Sequence, residues 1–174
     1  MKNQQLTTIA ETKFLKLVER GTWSFVQRQS DVRIVAVVAV TNTDEIILVE
    51  QYRPPTDSRV IELPAGLAGD IAGQESESLQ TAAQRELFEE TGYTASKWQH
   101  LATVTSSAGL TDERVAIFMA RDLKKAGDGG GDESEDITVH QIALTKLEKW
   151  LADRAQNGFD IDSRVFAALH WARR

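Results

Sequence analysis

The chain predicts an α+β fold with mixed strand pairing, and three features carry that prediction. The segment "VRIVAVVAVT", residues 32–41, is apolar and β-branched, as expected of a buried strand. Residues 77–91 have helical periodicity and stop at Gly92. Strands flank that helix and two helices close the chain, so the order is strands, helix, strands, helices rather than a regular βαβ alternation.

The elements follow in order. The first segment, roughly residues 12–28, reads "KFLKLVERGTWSFVQRQ" from Lys13 and alternates enough for two short strands joined at "RG". After 32–41, "NTDE" turns the chain and "IILVEQYR", residues 46–53, is the hairpin partner. "PPTDS" interrupts, and "RVIELPAG" resumes as a short strand ending at Gly66. Residues 67–76, "LAGDIAGQES", are loop-like. Ser76 is placed to cap the helix that follows, and Gly92 fits the left-handed position just past its end. Strands return at 97–105 and 114–122. "KKAGDGGGDESED", residues 124–136, is expected to be a flexible polar loop, and "ITVHQIAL" is one more strand. "TKLE" from Thr145 has the form of a capping box before Leu147, Trp150 and Leu151. After "DIDS" a last helix sets Val165, Phe166, Leu169 and Ala172 on one face. There is no internal repeat. One domain over 1–174 is expected, with strands in about residues 1–30 ahead of a core at 32–174.

Composition narrows the function. A chain of 174 residues suits one domain with a real core. Without cysteine, disulfides and thiolate metal sites are excluded, which fits a reducing compartment, and a cytoplasmic location is expected. The start, "MKNQQLTTIAETKF", lacks the apolar stretch of a signal peptide. No apolar run approaches the roughly 18 residues of a membrane span. A net charge of −6 argues against a general nucleic-acid binder. It leaves room for a small phosphate ligand, because a bound divalent cation reverses the local sign.

The chemistry concentrates in "RELFEETG", residues 85–92. On a helix with Glu86 at zero, Glu90 falls at about 40°, Glu89 at about −60° and Arg85 at about −100°. Arg85 and Glu89, four apart, can pair, leaving Glu86 and Glu90 side by side as mutually repelling charges. Two readings are open from these residues: a solvated acidic face, or a site for a hard divalent cation such as Mg²⁺. Ala82 and Ala83 lie near the same face and leave room for a ligand.

Glu77, seven residues, then Arg85-Glu86-Leu87-Phe88-Glu89-Glu90-Thr91-Gly92-Tyr93 resemble the signature of the Nudix hydrolases, G-x5-E-x7-R-E-U-x-E-E-x-G-U, with U a bulky apolar residue. The opening glycine departs from it. Position 71 is isoleucine, and Gly66 of "ELPAG" is the equivalent, ten residues before Glu77 instead of five, which implies a five-residue insertion in the loop. "LVEQYRPP", "IELPAGL", "GLTDER" and "GTWSFVQR" extend the resemblance toward the ADP-ribose pyrophosphatase branch over residues 20–170.

The resemblance implies an α/β/α sandwich with a mixed sheet and a catalytic helix after the loop. It implies that Glu86 and Glu90, with Glu89 and the Ala65 carbonyl, hold Mg²⁺, with Mn²⁺ as a substitute, and that Arg85 orients Glu89. Glu113 matches a loop acid that serves as base or further ligand, with an Arg114 ion pair as the plain alternative. Glu135 and Asp136 stand next in line, although such a charge run is ordinarily solvated. Arg53 suits phosphate oxygens, with an ion pair to Glu62 as the alternative, and Glu62 and Gly109 are grouped with it at the substrate. Trp23 resembles a tryptophan that stacks on adenine from the partner of a swapped homodimer, with strand packing as the alternative. Hydrolysis of a nucleoside diphosphate linked to a second group follows, ADP-ribose giving AMP and ribose 5-phosphate. Where the branch has Ser-Pro-Gly this chain has Ser107-Ala108-Gly109, which keeps nucleotide sugars such as GDP-mannose or ADP-glucose open. A nucleotide-binding regulator without turnover and a merely acidic interaction surface are the readings from other classes.

Overall fold

The computed structural model describes residues 5–29, 32–73, 75–131 and 136–173. Three strands, β1 (Leu6–Glu11), β2 (Leu15–Arg20) and β3 (Trp23–Arg28), form an antiparallel sheet of their own. A second, eight-stranded sheet holds β4 (Arg33–Val40), β5 (Glu45–Arg53), β6 (Ser58–Glu62), β7 (Ala65–Ala68), β8 (Tyr93–Thr105), β9 (Arg114–Lys125), β10 (Thr138–Ala143) and β11 (Asp160–Ile161). The helices are α1 (Leu79–Thr91), α2 (Leu147–Gln156) and α3 (Ser163–Ala172).

Strand β4 is the centre, and its continuous apolar run follows from burial on both faces. Ile34, Ala36, Val38 and Val40 share a core with Leu147 and Leu151 of α2 and Val165, Ala168 and Ala172 of α3. The alternate residues Val35, Val37 and Ala39 share another with Ala82, Ala83 and Leu87 of α1. The two-residue period thus sends one set to each helical layer, giving an α/β/α sandwich. The sheet is mixed. Strand β4 pairs parallel with β9, and antiparallel with β5 near one end and β7 near the other.

Several expectations change. Strand β1 precedes the expected pair; all its residues are exposed, so it carries no burial signal. "RVIELPAG" is two strands, because Leu63 and Pro64 separate β6 from β7. The cap of α1 is Ser78, whose hydroxyl accepts from the Thr81 N–H, and not Ser76. Strands β8 and β9 extend beyond the expected spans, from Tyr93 and to Lys125. The Thr145 capping box does not form; Lys146 stands at the cap of α2 without a side-chain bond. In α3 Phe166 is exposed and Ala168 takes its place in the core. Ala82 and Ala83 are fully buried against the sheet and leave no ligand space.

Leu87 fixes α1 to the sheet and is fully buried. Leu87→Ala is expected to cost about 2–5 kcal/mol in urea unfolding. A loss under about 1 kcal/mol would show that α1 is not anchored there.

Candidate active site

Strand β7 runs antiparallel to β4 with Ala65 opposite Ala36 and Gly66 opposite Val35. This places the Ala65–Gly66 backbone against α1. An added Cβ at Gly66 would fall within the Glu86 carboxylate, so a larger residue there would displace that side chain. The Ala65 N–H donates to Glu90 Oε2 at 3.1 Å. Gly66 thus stands against the helix acids although ten residues, not five, separate it from Glu77. Between them the chain turns at Gly69, which has φ +83°.

Arg85 is the hub of the acidic cluster. Its Nη1 donates to Glu86 at 2.9 Å and to Glu89 at 3.1 Å. Its Nη2 donates to the Leu67 carbonyl at 2.8 Å and reaches Glu77 at 3.3 Å and Asp70 at 3.4 Å. Glu77 lies before the helix, is buried, and holds Arg33 through its carbonyl at 2.7 Å. Asp70, the Leu67 carbonyl and Arg33 were not singled out in the sequence; only the folded turn shows that they meet Arg85 and Glu77.

Glu86 is 9% exposed and Glu90 2%. Burial pushes Glu86 up to about 7; Arg85 opposes that shift, while Glu89 adds to it. Among the described residues no three His, Asp or Glu side chains stand ready-made around one cation position. Arg85 holds Glu86 and Glu89 instead. The donor set nevertheless fits a hard divalent ion: it is all oxygen, and a desolvated carboxylate that retains its proton near neutrality is one that a cation would discharge.

Two adjoining cavities of about 460 and 450 Å³ meet along Ala65, Gly66 and Leu67. The first contains Arg85, Glu86 and Glu89; the second contains Glu90, Glu113, Arg53, Glu62, Arg28 and Arg164. The structure therefore brings Glu113 into one cavity with Glu90. Glu113 does not pair with Arg114. Its oxygens accept from Arg28 Nε and from the Ser106 hydroxyl, each at 2.9 Å. Arg53 does pair with Glu62, Nε to Oε2 at 2.7 Å, while still lining the cavity. Arg164 lies 3.7 Å from Glu62 and is held by Asp162 at 2.6 Å. Parallel pairing of β11 with β6 brings α3 to this wall, a long-range contact that no local pattern signals.

Trp23 and Gly109 meet each other rather than this cavity. The indole N–H donates to the Gly109 carbonyl of the same chain at 3.1 Å, and the tryptophan is 60% exposed. Val26 N–H donates to the Leu110 carbonyl at 2.8 Å, so β3 fastens the loop that carries Glu113. Asp136 pairs with Arg59 at 2.9 Å, and Glu135 lies outside the described residues.

The raised pKa has a definite sign. Between about 4.5 and 7 the folded state holds a proton on Glu86 that the unfolded chain has lost, so this residue's contribution to stability falls as pH rises. Glu86→Gln in chelator should therefore gain stability relative to the parent by up to about 3 kcal/mol between pH 4.5 and pH 8. A difference independent of pH would place Glu86 in water.

The NUDIX domain model matches residues 31–158. A methanol dehydrogenase activator of Bacillus methanolicus is 33% identical over 121 residues, covering 69% of this chain and 63% of that protein. An ADP-ribose pyrophosphatase of Mycobacterium tuberculosis is 42% identical over 136 residues, covering 78% and 62%. The matched segment thus spans less than two thirds of either relative. A crystal structure of an ADP compounds hydrolase superposes with a TM-score of 0.72 at 24% identity, over 97% of this chain and 90% of that one, and shows the fold. The chain belongs to the NUDIX family.

Proposed function

We propose that the protein hydrolyses the pyrophosphate of a nucleoside diphosphate derivative, ADP-ribose first, in a divalent-metal-dependent reaction. The observation that carries this is a pair of adjoining cavities that share Ala65, Gly66 and Leu67: Glu86 and Glu89 line the first, and Glu90 lines the second together with Arg53, Arg28 and Arg164. A metal–diphosphate has that charge distribution. Similarity to an ADP-ribose pyrophosphatase supports the choice of substrate.

Glu86, Glu90, Glu89 and the Ala65 carbonyl would hold Mg²⁺, or Mn²⁺ in its place. When bound, the ion neutralises phosphate charge and lowers the pKa of water. Arg85 keeps Glu86 and Glu89 in register. Glu62 fixes Arg53 through Nε, and the rest of that guanidinium faces the phosphates. Glu113, oriented by Arg28 and Ser106, accepts the proton of the attacking water. The water oxygen bonds to one phosphorus, the bridging P–O bond breaks, and a phosphomonoester leaves. From ADP-ribose the products are AMP and ribose 5-phosphate.

We read the whole chain as one such domain. The exposed Leu6, Ile9, Phe14, Leu15 and Leu17 on the N-terminal strands support a homodimer formed through that sheet. Trp23, exposed beside Gly109, offers a flat ring for a nucleobase. The cysteine-free composition supports a reducing compartment such as the cytoplasm. Ala108, where the resembling branch has proline, supports a nucleotide-sugar substrate as the second reading.

ADP-ribose, ADP-glucose and GDP-mannose should be compared with Mg²⁺ by following nucleoside monophosphate. Cleavage of ADP-ribose ahead of the others is expected; faster cleavage of GDP-mannose would reverse the ranking. Binding without cleavage of any would establish a regulator. Glu90→Gln is expected to lower kcat by roughly 10²–10⁴-fold with the melting temperature nearly kept, the scale of a lost catalytic group. Near-normal turnover would remove Glu90 from the site. Glu113→Gln should lower kcat at saturating metal by roughly 10²–10⁴-fold; a near-parental kcat would exclude Glu113 as the base.

A further inference from the structure

The run "GDGGG" at residues 127–131, part of the segment expected to be a flexible polar loop, is packed on the end of α1. A helix leaves its last four carbonyls without intrahelical partners. In α1 these belong to Phe88, Glu89, Glu90 and Thr91. Gly92 N–H serves Phe88 at 2.7 Å. The other three are served by one segment: Gly131 N–H donates to Glu89 O at 3.0 Å, Gly130 N–H to Glu90 O at 2.8 Å, and Lys125 Nζ to Thr91 O at 2.8 Å. Ala126 and Gly127 N–H both donate to the Gly92 carbonyl, and Lys125 also ties the Asp128 carbonyl at 3.1 Å.

Sterics explain the glycines. Gly129, Gly130 and Gly131 have φ of 74°, 105° and 79°. A Cβ on Gly129 would collide with the Thr91 carbonyl carbon, and one on Gly92 with the Gly127 carbonyl oxygen. The loop bonds land on the backbone of Glu89 and Glu90, and Gly131 lines the cavity with Glu86 and Glu89.

On the reading of α1 given above, we propose that residues 125–131 are a strap that sets the Glu89 and Glu90 carboxylates for the cation. Gly129, Gly130 and Lys125 are then positioning residues for the hydrolysis. Metal–oxygen bonds tolerate only about ±0.2 Å, so a small rotation of the last turn of α1 loses the ion without unfolding the helix.

The test compares the parent protein with Gly129→Ala, Lys125→Met, Lys125→Arg and Gly158→Ala. Gly158 has φ +86° with open space around it, so its alanine carries the backbone cost away from α1. Mn²⁺ alone is titrated calorimetrically, and kcat and KM are measured for ADP-ribose with Mg²⁺. Gly129→Ala is expected to weaken Mn²⁺ binding by roughly 10–100-fold and to lower kcat in step, with KM little changed. Lys125→Met should shift both in the same direction by a few-fold, Lys125→Arg should restore them, and Gly158→Ala should match the parent. A folded Gly129→Ala protein with parental Mn²⁺ affinity and kcat overturns the strap. Should Gly129→Ala fail to fold, a Lys125→Met protein with parental Mn²⁺ affinity overturns it equally. A parent that binds Mn²⁺ and cleaves no nucleoside diphosphate derivative overturns the hydrolase while the strap still stands or falls on Mn²⁺ affinity. A parent that binds no Mn²⁺ overturns both.

Discussion

Carboxylates taken out of water need a compensating charge, a hydrogen bond or a proton, and the end of α1 is organised around that need. Glu86 and Glu90 are both buried there, one turn apart. Arg85 faces Glu86, the Ala65 N–H faces Glu90, and burial holds a proton on Glu86 up to about pH 7. The Glu86 carboxylate occupies the space that a side chain at position 66 would take. Residues 125–131 hold the carbonyl end of the same turn.

The sheet makes this arrangement possible by dividing β4 between two partners. Near one end β4 pairs with β7, which delivers Ala65 and Gly66 to α1; near the other it pairs with β5, the strand that ends at Arg53. Parallel pairing with β9 starts at Val115, two residues after Glu113, so the loop acid arrives beside the same wall. Acid from a helix and arginines from strand ends and α3 therefore share two adjoining cavities. The N-terminal sheet contributes Arg28, and through it the orientation of Glu113.

Much of this was legible in the sequence because it is local. The continuous apolar run of β4, the helix ending on Gly92, and the i, i+4 spacing of Arg85 and Glu89 depend on neighbours in the chain, and each appears in the structure. What was not legible is long-range. Arg28 and Glu113 meet across 85 positions and Arg164 reaches Glu62 from another layer. Gly130 and Gly131 look like spacer until the carbonyls they serve are known. Helix caps also escaped: Ser76 was expected at the cap of α1, whereas it is the Ser78 hydroxyl that accepts from the Thr81 N–H. The Thr145 box shows the reverse case, a complete local pattern left unused because Lys146 takes the cap position.

Proton release on metal binding tests the central claim most directly. Mn²⁺ is titrated into the protein at pH 6 and at pH 8.5, in buffers of different ionisation enthalpy, so that calorimetry counts the protons exchanged. If burial keeps Glu86 protonated up to about pH 7 and the ion displaces that proton, close to one proton leaves per site at pH 6 and nearly none at pH 8.5. Binding with no difference in proton release between the two pH values would contradict it, as would no binding at either.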